Sequence, residues 1–125
     1  MEIVLVDDDP IVILLQKKLM QKAGISHQII SFNNGEEALS FLTDKGNENK
    51  YLMFLDINMP GLSGWEVLDE FEKNNKGLEL KVIIITSSIE DADRLKAKTY
   101  DRIVDFWVKP FSLQDFVNLK VNYGL

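Results

Sequence analysis

Four apolar segments of this 125-residue chain are each followed directly by side chains that can carry charge or donate hydrogen bonds. If these segments are parallel strands of one sheet, their carboxyl ends share an edge, and α/β sheets bind ligands at that edge. Carboxylates, hydroxyls and an ammonium group would then lie close together. The side chains are, in chain order, Asp7 and Asp8, Asp56 and Asn58, Thr86 with Ser87 and Ser88, and Lys109 followed by Pro110.

The carboxylates of Asp7, Asp8 and Asp56 would repel one another, by about 4 kcal/mol for two charges about 4 Å apart at an effective dielectric constant near 20. A hard divalent cation offsets such repulsion, and Mg²⁺ suits a site of one or two carboxylates, a carbonyl group and several water molecules. Lys109 adds a compact positive charge that can pair with a carboxylate or with a phosphoryl oxygen. The pattern therefore predicts a magnesium site.

Each of these residues also has a purely structural explanation. Taken alone, Asp56 is better explained as a turn former ahead of a Pro-Gly pair, and Asp9 as a helix cap. Thr86 and Lys109 are compatible with a satisfied strand-end hydroxyl and a solvated charge. Only the joint placement of such groups at one edge favours a functional site.

The elements that position these side chains follow from the apolar pattern. Five short runs rich in apolar and β-branched residues are predicted strands. Several are apolar at successive positions, which is typical of parallel strands buried on both faces. The predicted strands are Ile3 to Val6, Gln28 to Ser31, Leu52 to Leu55, Val82 to Ile85 and Ile103 to Val108.

A helical pattern follows each predicted strand, which predicts a doubly wound α/β sheet with helices on both faces. The fourth helix, Ile89 to Arg102, has the weakest apolar stripe. Capping residues precede three helices, and glycines follow two. The expected buried stripes are Ile11, Leu14, Leu15 and Leu19; Ala38, Leu39 and Leu42; Val67, Leu68 and Phe71; Ala92, Leu95 and Tyr100; and Leu113, Phe116, Val117 and Val121. The caps are Asp9, Ser63 and Ser112, and the stops are Gly24 and Gly46.

Composition limits the function classes. Hydrophobic residues make up 46% of the chain and charged residues 27%, which suits one globular domain over residues 1–125. A net charge of −6 argues against direct nucleic-acid binding. The absence of cysteine excludes disulfides and thiolate metal sites. Without a signal peptide or membrane-spanning run, we expect a soluble, cytoplasmic protein.

Two catalytic classes are disfavoured. No glycine-rich loop follows the first predicted strand, and its three acidic residues would repel a nucleotide phosphate, which disfavours flavin and dinucleotide binding. The single histidine, His27, lies near a strand and far from any convincing serine elbow, which disfavours Ser-His-Asp hydrolysis.

The four strand ends give the sequence its resemblance to a known family. IVLVDDDP resembles the acidic pair, MFLDINMPGLSGWE the phosphoacceptor segment, VIIITSS the threonine strand and DFWVKPF the lysine-proline strand of response regulator receiver domains from two-component systems. The motifs follow the family's order and spacing, and the resemblance covers essentially the whole chain. It implies a (βα)5 flavodoxin-like fold with a five-stranded parallel sheet in the order 2-1-3-4-5.

The resemblance also implies a phosphorylation chemistry. Asp56 would accept a phosphoryl group from the phosphohistidine of a sensor histidine kinase or phosphotransfer protein. Asp8 and Asp56 would bind Mg²⁺ through their carboxylates, Asn58 through its backbone carbonyl and Asp7 through a coordinated water molecule. The protein would be a signalling switch and no enzyme toward other substrates, since it catalyses only its own phosphorylation and dephosphorylation.

The resemblance also implies which residues respond to the phosphoryl group. Lys109 would pair with it, Thr86 would swing in to hydrogen-bond it, and Phe106 would change rotamer in response. Pro110 would follow a cis peptide bond. The face formed by the Ile89 to Arg102 helix, the last strand and the last helix would contact the output partner.

The sequence departs from the family pattern at two places. Residues Thr99 to Ile103 stand where the family usually has a glycine-alanine turn, and Ser87 stands where alanine commonly follows the switch threonine. These differences affect the local loop geometry and access to the phosphoryl group. Asn58 and Ser88 are the variable positions that we expect to influence the lifetime of the aspartyl phosphate.

Two other functions remain open from the residues. A phosphatase of the haloacid-dehalogenase type also uses an aspartate after a strand and Mg²⁺, but it needs an acid where this chain has Asn58, which cannot act as a general acid. The second alternative is a binding module that is folded like a receiver domain but is never phosphorylated. Whether the chain is a single-domain regulator or a piece of a larger protein also stays open.

Overall fold

The computed structural model describes residues 1–44, 49–74, 77–88 and 90–125, in which strands and helices alternate. Each strand is followed by one helix, as the apolar pattern predicts. The strands are β1 (Glu2–Val6), β2 (Ile29–Phe32), β3 (Lys50–Asp56), β4 (Glu79–Thr86) and β5 (Ile103–Val108). The helices are α1 (Pro10–Lys22), α2 (Gly35–Asp44), α3 (Gly64–Lys73), α4 (Asp91–Ala97) and α5 (Leu113–Tyr123).

All five strands form one parallel sheet in the order β2-β1-β3-β4-β5, which confirms the expected fold. β3 lies in the centre, and its last residue, Asp56, is in register with Ile85 of β4. Thr86 in turn pairs with Val108 of β5. The carboxyl ends of β1, β3, β4 and β5 therefore meet at one edge of the sheet.

Two apolar layers cover the sheet, because successive strand residues point to opposite faces. Val4 and Val6 of β1 pack in the layer that contains buried residues of α2 and α3. Ile3 and Leu5 pack in the layer formed with α1 and α5. This two-sided burial explains why the strands are apolar at successive positions.

The predicted buried stripe of α1 is wrong at three of its four positions, and the fourth, Leu19, is partly buried against the core. Ile11, Leu14 and Leu15 are exposed, whereas Ile13, Gln16 and Met20 face the core. After Pro10 the helix continues with five consecutive apolar residues, so hydrophobicity alone does not define which of its faces is buried. The buried stripe also contains the polar residue Gln16, which interrupts the apolar periodicity from which a buried face is predicted.

The stripes of α4 and α5 also need correction. Leu95 and Ala92 of α4 are exposed, and the residue of α4 that is buried is Ala97, near its carboxyl end. In α5, Phe116 is buried as expected, but Leu113 and Val121 are exposed. One face of each of these helices meets solvent.

Helix ends follow the capping predictions. Asp9 accepts the backbone N–H of Ile11 at the start of α1, at 2.9 Å. Ser63 and Ser112 each form a reciprocal capping box with the residue three positions later. Gly24 follows α1 with a φ of 83°, whereas the predicted stop at Gly46 lies outside the described residues.

No helix among the described residues is long and apolar enough to cross a membrane.

Candidate functional site

The polar strand ends form one acidic cluster at the carboxyl edge of the sheet. Asp7 and Asp8 follow β1 directly, and Asp56 ends β3. One carboxylate oxygen from each of the three lies within 4.8 Å of the others. Asp7 and Asp56 are buried and Asp8 is exposed. The predicted convergence of these residues is therefore present, with one carboxylate open to solvent.

Backbone N–H groups hold the two buried carboxylates in place. Asp7 Oδ1 accepts the N–H of Asp9 at 2.9 Å, and Asp56 Oδ1 accepts the N–H of Asn58 at 3.1 Å. Each aspartate thus closes a turn with the residue two positions later. Asp56 is consequently both a turn former and a member of the acidic cluster, so its two explanations do not exclude each other.

The start of α3 packs directly against the phosphoacceptor candidate. A Cβ atom on Gly64 would lie 2.7 Å from the carbonyl oxygen of Asp56 and 2.8 Å from Cα of Ile57. The Gly64 N–H also donates to the carbonyl of Ile57 at 3.1 Å. Glycine at this position therefore lets the helix approach the backbone that carries Asp56.

Lys109 brings a positive charge to the cluster from the end of β5. Its Nζ lies 2.8 Å from Asp7 Oδ2 and 3.4 Å from Asp56 Oδ2, so it bridges both buried carboxylates. The backbone N–H of Lys109 donates to the carbonyl of Thr86 at 2.7 Å, which anchors the lysine beside β4. The Lys109–Pro110 peptide bond is cis.

Burial dominates the electrostatics of Asp56. Desolvation raises the pKa of its carboxyl group from 3.8 to about 6, the Asn58 N–H opposes that rise, and the Asp7 charge adds to it. The Lys109 charge also lowers this pKa without cancelling the effect of burial. For Lys109, burial alone would lower the pKa, but Asp7 and Asp56 raise it, so the ammonium group stays protonated.

The donor set fits a hard divalent cation. Asp7 Oδ2 is buried, and the ammonium group of Lys109 lies 2.8 Å from it. The exposed carboxylate of Asp8 completes a group of three oxygen donors. Oxygen donors at this spacing, with one side open to water, match the coordination that Mg²⁺ prefers.

Thr86 and Phe106 lie on the neighbouring strands β4 and β5. Thr86 is fully buried, and its hydroxyl oxygen accepts the N–H of Ser88 at 3.1 Å. Phe106 is half-buried, and Cζ of Arg94 lies 4.9 Å from the centre of its ring. Sequence reasoning did not find Arg94, because one cation beside one ring produces no periodic signal.

Comparisons with known proteins agree with this geometry. A sequence profile of the response regulator receiver domain matches residues 3–119. The transcriptional regulatory protein MalR of Bacillus subtilis is 31% identical over 122 residues, which are 97% of this chain and 49% of MalR. The chain thus spans about half the length of that relative.

Solved structures show the same fold. A response regulator receiver protein from Dyadobacter fermentans superposes with a TM-score of 0.84 at 21% identity, over 98% of this chain and 97% of that one. A two-component response regulator from Cytophaga hutchinsonii superposes with a TM-score of 0.77 at 30% identity, over 97% and 96% of the two chains. The chain belongs to the response regulator receiver domain family, whose members serve as phosphorylation-dependent signalling switches.

Proposed function

We propose that residues 1–125 form one receiver domain in which Asp56 accepts a phosphoryl group from a sensor histidine kinase or a phosphotransfer protein. A carboxylate oxygen of Asp56 attacks phosphorus, the new O–P bond forms as the N–P bond of the phosphohistidine breaks, and the imidazole leaves. The observation that carries this proposal is the Lys109 ammonium group, which bridges the buried carboxylates of Asp56 and Asp7.

The roles of the surrounding residues follow from their charges and positions. Asp7, Asp8, Asp56 and the backbone carbonyl of Asn58 would hold Mg²⁺, Asp7 through a water molecule. The bound ion supplies positive charge that offsets the negative charge on the transferring phosphoryl oxygens. Lys109 adds a second positive charge on the side of β5, and it would exchange part of its contact with Asp56 for a phosphoryl oxygen.

Thr86 and Phe106 would report phosphorylation to the surface. The Thr86 hydroxyl would turn from the N–H of Ser88 to donate to a phosphoryl oxygen, and the Phe106 ring would change rotamer as the threonine moves. Thr86 precedes α4 in the chain, and Phe106 lies beside Arg94 of that helix, whose side chains are mostly exposed. We infer that the α4-β5-α5 face changes its affinity for an output partner, which is a protein rather than nucleic acid or membrane.

Labelling with a small acyl phosphate tests the proposal. The purified protein is incubated with acetyl phosphate, with Mg²⁺ or with EDTA, and its intact mass is measured. We expect one phosphoryl group on the parent with Mg²⁺, and none on Asp56→Asn. Asp9→Asn is the matched control, since Asn also caps a helix and Asp9 lies beside the cluster; it should label like the parent.

Two results would contradict the proposal. If the parent protein gained no phosphoryl group in the presence of Mg²⁺, it would be a binding module that is not phosphorylated. Equal labelling of Asp56→Asn and the parent would assign the phosphoryl group to another residue. If labelling in EDTA were as fast as labelling with Mg²⁺, the metal would not be required for the reaction, although Asp56 could still be the phosphoryl acceptor.

A further inference from the structure

The segment between α4 and β5 is attached to α3 by a set of contacts that we call the α3 clasp. On α3 the clasp uses Trp65, Asp69 and Glu72, which occupy one face of the helix at intervals of four and three residues. On the other side it uses Tyr100 and Arg102. These two residues lie within the stretch that departs from the family's glycine-alanine turn.

Tyr100 makes the amino-terminal part of the clasp. Its ring stacks on Trp65 with centroids 5.4 Å apart and an angle of 24°, and its hydroxyl donates to Asp69 Oδ1 at 2.8 Å. The ammonium group of Lys96, in the last turn of α4, lies 5.1 Å from the centre of the Trp65 ring. Trp65 is therefore in contact with both the end of α4 and the segment that follows it.

Arg102 makes the second part of the clasp and extends it to β4. Its guanidinium group pairs with Glu72 and lies 5.0 Å from the centre of the Phe71 ring. Nη1 donates to the carbonyls of Leu78 and Leu80, at 3.3 Å each. The carbonyl of Arg102 also accepts the N–H of Val82, so the backbone and the side chain of Arg102 are both fixed.

The amino-terminal end of α4 has no comparable attachment within the described residues. The Glu90 side chain makes no capping hydrogen bond there, and Asp91 and Ala92 are exposed. Ala97, at the carboxyl end, is the buried residue of the helix. The two ends of α4 are thus held very differently, with burial and polar contacts concentrated at the end that the clasp adjoins.

We propose that the α3 clasp makes α4 pivot about its carboxyl end, so that phosphorylation displaces mainly its amino-terminal half. This inference rests on the proposed function, because it assumes that the signal starts at Asp56. Thr86 and Ser88 precede the amino-terminal end of α4, and Arg94 connects this half of the helix to the ring of Phe106. A movement of Thr86, Ser88 or Phe106 therefore reaches the half of α4 that has few attachments among the described residues.

Hydrogen exchange of the parent protein tests the pivot directly. Exchange is measured by mass spectrometry before and after phosphorylation with acetyl phosphate and Mg²⁺, and the intact mass of the same sample reports its phosphorylation. We expect a change in exchange within residues 90–94 and little change within residues 97–102. A phosphorylated sample that changes equally in both segments would overturn the pivot and leave the proposed function standing.

Variants of the clasp give a second measurement that needs no phosphorylation. Aromatic pairs of this kind shift an equilibrium by roughly two- to tenfold, so Trp65→Leu should speed exchange in residues 97–102 of the unmodified protein by about that factor. Tyr100→Phe keeps the ring stack and loses only the hydrogen bond to Asp69, so it should have a smaller effect. Tyr123→Phe, on α5, is the matched control and should leave this segment unchanged.

Phosphorylated Trp65→Leu completes the test. Without the stack, the change caused by phosphorylation should extend from residues 90–94 into residues 97–102. Confinement of the change to residues 90–94 in this variant would show that the clasp does not set the pivot. A parent sample that carries no phosphoryl group would instead overturn the proposed function, and the pivot with it.

Discussion

Replacement of Asp56 by Asn should stabilise the metal-free protein at neutral pH. The buried carboxylate is costly in its charged form, and its pKa rises from 3.8 to about 6 for that reason. This rise corresponds to about 3 kcal/mol of unfolding free energy. Asn keeps the shape of the side chain and can still accept the Asn58 N–H, while Lys109 retains its ion pair with Asp7.

The effect should depend on pH in a defined direction. Between pH 3.8 and about pH 6, Asp56 is protonated in a larger fraction of folded molecules than of unfolded ones. The free energy of unfolding of the parent therefore falls as pH rises through this range. The variant lacks the Asp56 carboxyl group, so its stability does not include this decrease. The advantage of Asn should be about 3 kcal/mol at neutral pH, about 1.5 kcal/mol near pH 5 and below about 1 kcal/mol near pH 4.

Urea unfolding in EDTA at several pH values measures this difference. Asp8→Asn is the control, since Asp8 belongs to the same cluster but is exposed, and its effect on stability should be small at every pH. If the advantage of Asp56→Asn did not change between pH 4 and neutral pH, the cost of burying the Asp56 charge could not be its cause. A destabilised variant at neutral pH would exclude this cause equally, because burial would then not be the dominant effect on Asp56.

Three other perturbations have defined outcomes. Mg²⁺ at a hundred times its Kd should raise the free energy of unfolding of the parent by about 2.7 kcal/mol, and calorimetry should find no such rise for Asp56→Asn. Gln16→Met should raise this free energy by about 1–3 kcal/mol in urea titrations, because the buried amide of Gln16 has no hydrogen-bond partner among the described residues; the exposed Gln21→Met should not. Gly64→Ala should lower it by about 1–3 kcal/mol through the clash with the Asp56 carbonyl, and its acetyl phosphate labelling should slow.

The sheet and the meeting of Asp7, Asp8 and Asp56 at its carboxyl edge were largely predictable, because the signals for both are local. Apolar runs give the strands, and the polar residue after each run falls at the carboxyl edge whatever the details of packing. Strand limits were less accurate, since β3 begins at Lys50 and β4 at Glu79, whose charged side chains pair at 3.5 Å on the surface. Charged residues at strand starts do not show up in an apolar pattern.

The helix faces were less predictable, because tertiary packing decides which side of an apolar helix is buried. Leu14 and Leu15 are exposed while Gln16 is fully buried, the reverse of what hydrophobicity indicates. The contacts of the α3 clasp were also not predictable from the sequence. Tyr100 meets Trp65 only because β4 and α4 bring distant parts of the chain together, and no spacing rule links such residues.

In the proposed reaction, Asp56 itself carries the phosphoryl group. Borohydride reduction after labelling with acetyl phosphate and Mg²⁺ tests this most directly, since it converts an aspartyl phosphate to homoserine, which peptide sequencing by mass spectrometry locates. We predict homoserine at position 56, within the peptide that contains MFLDINMPG, and none at Asp7, Asp8 or Asp9. Homoserine at one of those three positions, or a labelled protein without homoserine at position 56, would show that Asp56 is not the phosphoryl acceptor.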